Sequence, residues 1–405
     1  MIHMICTRHD SYTSLKEKTL LILTPSYPNE NESFIGDTFV KYQVDELKKY
    51  FNNIIIIAPV LRSFGCFRKD RLCKDYSYDN VNVYFPRCFY IPISWSRKIL
   101  VDSRLRTVER TIEEHHLKFD LIHAHFTWPS GYLGVQLKEK YETPVITTIH
   151  ENGNWFDQEV KMNNHFINET WAGADALIRV NQKDIPILKR YNEQVYFIPN
   201  GFSSTLHPTC VVAARELLGV PADIKIIFAL GNLVKRKGFN YLIDAMKLIC
   251  SQRDDVLCYI GGKGPEKGRL QRQIDRLHLG KNVKLLGSIP CDQLNFWMNA
   301  CDLFVLPSLS ESFGIVQIEA LACGKPVVSA RNRGSEEVIV LDDYGLLVEP
   351  ADPSDLCVKI LLALSREWDS EMIIAYAEQF AWSSIAKEIV KKHEQLLVRD
   401  TSGIP

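Results

Sequence analysis

Short runs of aliphatic and β-branched residues alternate along the chain with amphipathic helical stretches. Six runs precede residue 200, namely LLILTPSYP, NNIIIIAPV, DLIHAHF, PVITTIH, ADALIRV and VYFIPN. Six more follow residue 224, namely KIIFALGN, DVLCYIGG, VKLLGSI, DLFVLPS, KPVVSA and GLLVEP. Continuous apolar runs separated by helical patterns are typical of parallel strands buried between helices. The pattern therefore predicts an α/β protein built on parallel sheets.

The alternation is interrupted between Gly201 and Pro221, where FSSTLHPT gives way to a short helix and GVPADI. We therefore predict two α/β units of similar size, residues 1–203 and 204–375, with a cleft between them as the natural place for chemistry. Residues 376–405 form a separate segment that can pack back across either unit. The helical pattern of this tail begins at Met372 and runs to Leu397, and its apolar positions are Ile373, Ala377, Phe380, Trp382, Ile385, Ile389 and Leu396.

Composition narrows the class of protein. The 405 residues include 48 Lys and Arg against 49 Asp and Glu, and 46% are hydrophobic, which excludes a disordered or fibrous chain and argues against a basic nucleic-acid-binding face. The longest apolar run, Ile54 to Leu61, is far shorter than the roughly 20 residues that span a bilayer. Eleven scattered cysteines without a CxxC pair and a polar N-terminal segment indicate reduced thiols and a cytoplasmic location.

Two glycine-bearing loops follow predicted strands and precede helices, where backbone N–H groups can bind anions. Gly36 lies in the first. The second, IIFALGNLVKRKGF, contains Gly231 and Gly238 around the cations Lys235, Arg236 and Lys237. Cations in a glycine-rich turn at a helix start suit a diphosphate, although a solvated turn accounts equally well for this string alone. A third loop, GGKGPEKG, is close to a dinucleotide fingerprint, but Pro265 and the lack of an acidic residue after the next strand disfavour that interpretation.

The stretch DLFVLPSLSESFGIVQIEALACGKPVVSA holds two glutamates around the start of a predicted helix. Burying a carboxylate among apolar residues costs free energy unless the carboxylate has a partner. Glu311 can accept hydrogen bonds from a hexose and Glu319 from a ribose, while the N–H groups of residues 313–316 face a phosphate between them. The alternative is an ordinary acidic charge at a helix N-terminus.

Histidines mark the ends of two strands in the first unit. His123 and His125 alternate on one strand of DLIHAHF, and His150 follows the strand PVITTI, facing the cleft. A His-x-His pair can ligate a metal, but no further ligand pattern accompanies it. We therefore predict hydrogen-bonding roles for His123 and His125 and no metal site.

Together these residues resemble glycosyltransferase family 4, the retaining, nucleotide-sugar-dependent group 1 glycosyl transferases of GT-B fold. The similarity covers nearly the whole chain. The two glutamates of that family, separated by seven residues, match Glu311 and Glu319, and its lysine before glycine matches Lys237. Further matches are Asn200 with Gly201, Gly36, His150, GGKGP, VKLLG, GLLVEP and the tryptophan of FAWSSIAKEI.

The resemblance implies a fold and a reaction. The fold has two Rossmann-like α/β/α domains facing each other across a cleft: an acceptor-binding domain (1–203), a nucleotide-sugar donor domain (204–375), and a C-terminal helix (376–405) crossing back to the first. The reaction moves a hexose from a UDP- or GDP-sugar to an acceptor hydroxyl, with no required cofactor or metal. His150, Lys237 and Glu311 are the implied catalytic residues. The implied donor-binding residues are Gly36, Asn232, Arg236, Lys237, Gly262, Gly287, Glu311, Phe313, Gly314, Ile315, Val316 and Glu319.

Three departures from the family pattern bear on donor identity. Asn232 stands where many relatives have arginine, Glu151 where glycine is common, and Phe202 with Ser203 replace valine and aspartate.

Two other functions are alternatives to a glycosyltransferase: a nucleotide-sugar 2-epimerase of GT-B fold and a non-catalytic nucleotide-sugar-binding subunit. The opening TPSYPNENESFIGDTFVKYQ is most similar to members that build surface polysaccharides, glycolipids or lipid-linked oligosaccharides.

Residues 60–110 are locally basic, with eleven Lys or Arg against five Asp or Glu. Interleaved aromatic residues, among them Phe64, Tyr78, Tyr90 and Trp95, suit the headgroup layer of an anionic membrane. We predict a saccharide or lipid-linked acceptor, peripheral association with the inner face of a membrane, and no nucleic-acid partner. A solvated basic face is the alternative.

Overall fold

The computed structural model describes residues 15–31, 34, 36–62, 72–89 and 97–402. Its strands form an eight-stranded sheet in the order β10-β9-β8-β7-β1-β2-β5-β4, a six-stranded sheet in the order β13-β12-β11-β14-β15-β16, and a two-stranded sheet of β3 and β6. The strands are β1 (Thr19–Leu23), β2 (Asn53–Ile57), β3 (Val60–Arg62), β4 (Tyr76–Tyr78), β5 (Val81–Tyr84), β6 (Arg87–Phe89), β7 (Leu121–His125), β8 (Val145–Ile149), β9 (Ala176–Arg179), β10 (Val195–Phe197), β11 (Lys225–Leu230), β12 (Val256–Gly261), β13 (Val283–Gly287), β14 (Leu303–Leu306), β15 (Val327–Ala330) and β16 (Gly345–Val348).

Helices cover the sheets. They are α1 (Thr38–Leu47), α2 (Arg97–Glu114), α3 (Tyr132–Tyr141), α4 (Gly153–Met162), α5 (His165–Gly173), α6 (Ile185–Leu188), α7 (Val211–Leu218), α8 (Phe239–Cys250), α9 (Lys267–Arg276), α10 (Cys291–Ala300), α11 (Ile315–Ala322), α12 (Arg333–Val338), α13 (Pro353–Ser365), α14 (Ser370–Ala377) and α15 (Trp382–Ser402), with short helical turns at Thr127–Gly131, Lys235–Lys237 and Glu378–Phe380. Each large sheet has an apolar core on both faces, as expected for parallel strands between helical layers.

All twelve predicted strands are present, and neighbouring strands pair in parallel. The sequence pattern missed β3, β4, β5 and β6. These strands span three or four residues and carry polar or aromatic side chains, so they lack the continuous apolar run that marks a buried strand. Strand β4 also pairs antiparallel with β5, which makes the edge of the first sheet mixed.

The last helix completes the core of the first unit. Trp382, Ile385 and Ile389 of α15 are buried in the same cluster as Leu20 and Ile22 of β1. The tail predicted as a single helix is divided at Glu378–Phe380, so that α14 packs on the second unit and α15 on the first. These features confirm an α/β fold of two Rossmann-like domains with a C-terminal helix crossing back.

The chain passes between the two domains twice, and the two passages lie side by side. The backbone N–H of Phe202 donates to the carbonyl of Phe380 at 3.0 Å, and the N–H of Trp382 donates to the carbonyl of Phe202 at 3.3 Å. A Cβ on Gly201 would lie 2.5 Å from the Trp382 ring, so this close approach requires glycine.

In the described part of the chain, no helix is both long enough and apolar enough to cross a membrane.

Candidate functional site

A cavity of about 380 Å³ lies between the two domains, past the carboxyl ends of β7, β8 and β14. Ligands of open parallel sheets bind at this end of the strands. Among the predicted site residues, His150, Arg236 and Glu311 line the cavity, and the remaining ten lie outside its lining. The lining residues are Phe126, Trp128, His150, Glu151, Asn152 and Trp155 from the first domain, and Arg236, Glu311 and Ser312 from the second.

Glu311 lies between two cations. Lys237 Nζ donates to Glu311 Oε1 at 2.5 Å, and Arg236 Nη1 lies 3.5 Å from Glu311 Oε2. Burial by itself raises the pKa of Glu311. The charges of Lys237 and Arg236, together with the hydrogen bond from Lys237, outweigh burial and hold the pKa below its usual value. The site therefore presents an ionised carboxylate and two cations.

The turn that carries Lys237 is held against the end of β14. Gly238 has φ +68, and a Cβ there would lie 2.0 Å from the carbonyl oxygen of Pro307. Lys237 itself is buried, and its stem passes over Gly231, where an added Cβ would lie 3.3 Å from Lys237 Cε. The two glycines thus allow the lysine to reach Glu311 from a turn packed directly on the neighbouring strand end.

The loop after β14 leads into α11 through Gly314, which has φ +85. Phe313 before it is fully buried, and a Cβ on Gly334 would lie 2.7 Å from the backbone N of Phe313. Ile315 and Val316 form the first turn of α11 and are half-buried. The first N–H groups of a helix have no partner within the helix, so this turn is suited to bind an anion, which remains a prediction.

Glu319 lies one turn further along α11 and is buried. Among the described residues, no hydrogen-bond partner is assigned to its carboxyl group. Burial raises its pKa to about 7. A carboxyl group that has no partner and a pKa near neutral pH is suited to accept hydrogen bonds from a ligand hydroxyl.

The predicted glycines of the other strand-end loops pack closely against neighbouring backbone. Gly36 has φ +55, and a Cβ there would lie 2.6 Å from the backbone of Tyr27. Gly262 donates its N–H to the carbonyl of Gly287 at 2.6 Å, and a Cβ on Gly262 would lie 1.8 Å from the carbonyl oxygen of Gly231. Asn232 is exposed beside this contact. The strand-end loops of the second domain are therefore packed backbone to backbone.

Four buried histidines cross the first domain. His393 of α15 and His123 share a hydrogen bond of 3.1 Å, and His123 in turn contacts Thr148 at 2.8 Å. The rings of His123 and His125 stack at 4.6 Å between centroids. His125 Nδ1 lies 3.0 Å from His150 Nε2. Burial lowers the pKa of all four, so their rings are neutral. This confirms hydrogen bonding by His123 and His125.

Two buried carboxyl groups, those of Glu151 and Glu159, lie near each other in the first domain. Glu151 Oε1 accepts the N–H of Thr127 at 2.8 Å, and Glu159 Oε1 accepts the indole N–H of Trp155 at 3.2 Å. Burial raises the pKa of both, and the charge of Glu151 contributes to raising that of Glu159 to about 9. Glu159 is thus protonated at neutral pH. Sequence reasoning missed Glu159, because its raised pKa depends on burial and on the nearby Glu151, and neither can be read from the local sequence.

Polar contacts join the domains at the edge of the cavity. Ser310 Oγ accepts the N–H of Asn154 and donates to Asn152 Oδ1, both at 3.1 Å. Arg333 pairs with Asp157 and Asp184, both at 2.9 Å. Asp184 also accepts from the fully buried Arg179. Sequence reasoning missed these residues, because ion pairs across domains leave no local pattern.

Within the described residues, no group of three or more His, Cys, Asp or Glu side chains is arranged to hold a metal ion.

Two protein-family models match the chain. The model described as Glycosyltransferase Family 4 matches residues 54–205, and the model described as Glycosyl transferases group 1 matches residues 213–380. The two matches together cover the whole second sheet, most of the first sheet apart from β1, and every residue that lines the cavity.

Curated relatives show the same similarity. A D-inositol 3-phosphate glycosyltransferase from Catenulispora acidiphila is 30% identical over 298 residues, 66% of this chain and 69% of the relative. The putative teichuronic acid biosynthesis glycosyltransferase TuaC of Bacillus subtilis is 27% identical over 363 residues, 84% of this chain and 88% of the relative.

A solved structure shares the fold. The crystal structure of Anabaena HepE in complex with UDP and glucose superposes with a TM-score of 0.70 at 23% identity, covering 94% of this chain and all of that chain.

Proposed function

The chain belongs to the group 1 glycosyltransferases of GT-B fold, and on that premise we propose that it transfers a hexose, with retention, from a nucleoside-diphosphate sugar to an acceptor hydroxyl. The observation that carries the proposal is the group of Lys237, Arg236 and Glu311, which faces His150 across the cavity between the domains. Cations beside an ionised carboxylate suit a ligand that joins a diphosphate to a sugar.

In this reaction the bond between the sugar C1 and the diphosphate oxygen breaks, and a bond from C1 to the acceptor oxygen forms. The acceptor proton passes to a phosphate oxygen of the departing diphosphate. Lys237 and Arg236 stabilise the negative charge that develops on that diphosphate. Glu311 accepts hydrogen bonds from the sugar ring, Glu319 accepts them from the ribose, and His150 lies beside the sugar.

Binding of the diphosphate changes the partner of Lys237. In the present structure its ammonium group is neutralised by Glu311. A bound diphosphate competes for that ammonium group and leaves Glu311 with oxygen atoms available to sugar hydroxyls. Both groups of the buried pair are thus prepared to bind the donor, because water has already been removed from each before the donor arrives.

The donor is a UDP- or GDP-sugar, and UDP is favoured by the solved structure of similar fold that contains UDP and glucose. Incubation with a panel of UDP-, GDP- and ADP-sugars tests the reaction. Transfer to an added acceptor, or slow hydrolysis of one donor, supports a glycosyltransferase with that donor. An epimerised donor would instead identify a 2-epimerase, and binding without turnover a non-catalytic subunit.

The acceptor belongs to a surface polysaccharide, a glycolipid or a lipid-linked oligosaccharide. A relative over most of the chain is named for teichuronic acid biosynthesis. The first domain contributes a second cavity of about 130 Å³ at the carboxyl ends of β1 and β2, lined by apolar residues, among them Tyr27, Leu61 and Phe85, and by Arg104. This lining suits an acceptor that places an anionic group beside an apolar one. Replacing Arg104 with alanine should raise KM for such an acceptor and leave donor hydrolysis unchanged.

The basic segment 60–110 supports a cytoplasmic protein bound peripherally to the inner face of an anionic membrane. Residues 63–71 and 90–96, with Phe64, Tyr90 and Trp95, lie outside the described residues. The described part includes Arg104, Arg106 and Arg110 of α2. Flotation with vesicles of phosphatidylglycerol tests the association. Binding at low salt that is lost at high salt supports it, and no binding at low salt contradicts it.

A further inference from the structure

Trp155 is the most exposed of the described residues that line the cavity between the domains. Its exposed fraction is 51%, whereas the other lining residues are buried or half-buried. Burying a tryptophan side chain removes one of the largest apolar surfaces in a protein from water. A half-exposed tryptophan in a cavity therefore points to a surface that a ligand covers.

The two other aromatic residues that line the cavity already have ring partners. Phe126 packs against His150 with ring centroids 5.1 Å apart, and Trp128 packs against Phe166 at the same distance. Within the described parts of the chain, no aromatic ring packs against that of Trp155. The ring of Trp155 therefore remains available to a ligand.

The ring of Trp155 is held in place at its edge. Its indole N–H donates to Oε1 of the buried Glu159 at 3.2 Å, and its backbone N–H donates to Asn152 Oδ1 at 3.3 Å. Because the indole N–H is already bonded, the side chain offers a ligand the face of its ring. This face is negatively polarised and suits the C–H groups of a pyranose, which neighbouring oxygen atoms polarise positively.

Trp155 and Glu311 line the cavity from opposite domains. The backbone N–H of Asn154 donates to Ser310 Oγ at 3.1 Å, so the residues that directly precede Trp155 and Glu311 are in contact. The proposed function places the donor sugar at Glu311. An acceptor hydroxyl has to reach C1 of that sugar, and the acceptor therefore occupies this cavity on its first-domain side.

We propose that Trp155 determines acceptor specificity, because the pyranose ring of a saccharide acceptor stacks on its indole face. Glu159 is a positioning residue that holds the indole through its N–H. The inference rests on the proposed function, since the donor sugar at Glu311 defines the acceptor side of the cavity. It narrows the acceptor to a class whose attacking hydroxyl is carried by a sugar ring, rather than by an open polyol chain.

Binding of simple pyranosides tests the subsite directly. The probes are the methyl β-glycosides of D-glucose, D-galactose, N-acetyl-D-glucosamine and D-glucuronic acid, with glycerol as a polyol that has no ring. The donor subsite is first filled with UDP-2-deoxy-2-fluoroglucose, an analogue that resists transfer. The ¹H–¹⁵N signal of the Trp155 indole, assigned by its loss in Trp155→Phe, is then followed. At least one pyranoside should shift this signal with saturation, and glycerol should not.

The proposal is overturned if no pyranoside shifts the signal, or if glycerol shifts it equally. It is also overturned if the donor analogue alone shifts the signal and the pyranosides then do not, because Trp155 would contact the donor sugar instead. Failure of the proposed function looks different. If the analogue does not bind, the proposed donor is wrong, while titration with the pyranosides alone still decides the role of Trp155.

Kinetics with matched variants supply a second readout, with the pyranoside that gives the largest shift as acceptor. Trp155→Ala should raise KM for this acceptor about tenfold, as expected for the loss of one stacked aromatic contact, and Trp155→Phe should recover part of that loss. Met162→Ala is the control, since Met162 is 47% exposed on the same helix and lies outside the cavity lining.

Thermal unfolding first confirms that the three variants fold. The affinity for UDP, which carries no hexose, should stay within twofold of the wild-type value in all of them. KM for the acceptor should be unchanged in Met162→Ala. A wild-type KM in Trp155→Ala contradicts the stacking role.

Discussion

Lys237 and Glu311 form an ion pair in which both side chains are about nine-tenths buried, with 10% and 8% of their surfaces exposed. An isolated buried charge is costly, so each residue depends on the other for its ionised state. A pair of this kind adds little net stability compared with apolar side chains of the same size. Its cost is consistent with a binding function, since a donor diphosphate can replace the carboxylate beside the lysine.

Replacing Lys237 with alanine should therefore affect both turnover and stability. We expect kcat to fall about 10²- to 10³-fold, as for loss of one group that stabilises developing charge. The free energy of unfolding should fall by about 3–5 kcal/mol, because Glu311 is left buried and less well paired. Steady-state kinetics at a temperature where the variant is folded, with urea titrations, measure both. Lys247→Ala, an exposed lysine of α8, is the control. Turnover within tenfold of wild type would contradict the role of Lys237.

Gly238 should tolerate no side chain. Gly238→Ala places a Cβ 2.0 Å from the carbonyl oxygen of Pro307 at a residue with φ +68, so the turn carrying Lys237 has to move. Gly219→Ala is a matched control, since Gly219 has φ +64 with no atom within 4 Å of the added Cβ. We expect the control to lose about 1 kcal/mol of unfolding free energy from backbone strain alone, and Gly238→Ala to lose clearly more along with activity. Equal losses in the two variants would show that the contact with Pro307 does not matter.

Glu319 should make stability depend on pH. Its pKa is about 7 in the folded chain, against an ordinary value of 4.5, because burial disfavours the charged form. Between pH 4.5 and 7, Glu319 binds more protons in the folded state than in the unfolded state. Its contribution to stability is therefore complete below pH 4.5 and is lost as the pH rises toward 7. The contribution is on the order of 3 kcal/mol. Glu319→Gln should therefore gain stability relative to wild type as pH rises from 5 to 8. Parallel unfolding curves for the two proteins across that range would disprove the assignment.

Arg333 should hold the two domains together. It pairs with Asp157 and Asp184 of the first domain, and Asp184 keeps Arg179 as a partner when Arg333 is lost. We expect Arg333→Ala to increase the radius of gyration in solution scattering and to raise KM for the donor, since the cavity requires residues from both domains. Lys183→Ala removes the more exposed interdomain pair with Glu336 and should change stability by less than about 1 kcal/mol. If the radius of gyration and KM for the donor are unchanged in Arg333→Ala, Arg333 does not hold the domains in position.

The long buried strands could be predicted from sequence because a continuous apolar run such as NIIII is sufficient by itself to mark a strand between helical layers. The short strand Tyr76–Tyr78 could not, because its half-exposed residues pair at an edge. In the site, strand-end loops and the family resemblance indicated Glu311 and Lys237 as donor-binding residues, but the ion pair between them was not predicted. Glu159 and Arg333 depend on partners that are distant in sequence or in the other domain, and no local pattern encodes such contacts.

The helix Trp382–Ser402 has a consequence for how the protein is made. It supplies Trp382, Ile385 and Ile389 to the core around β1, so a strand that is synthesised early is buried by a helix that is synthesised later. The second domain, whose strands lie between residues 225 and 348, has its whole sheet available earlier. On the ribosome the N-terminal half therefore stays without its complete core until this helix has emerged, and the second domain is the first to be able to finish folding.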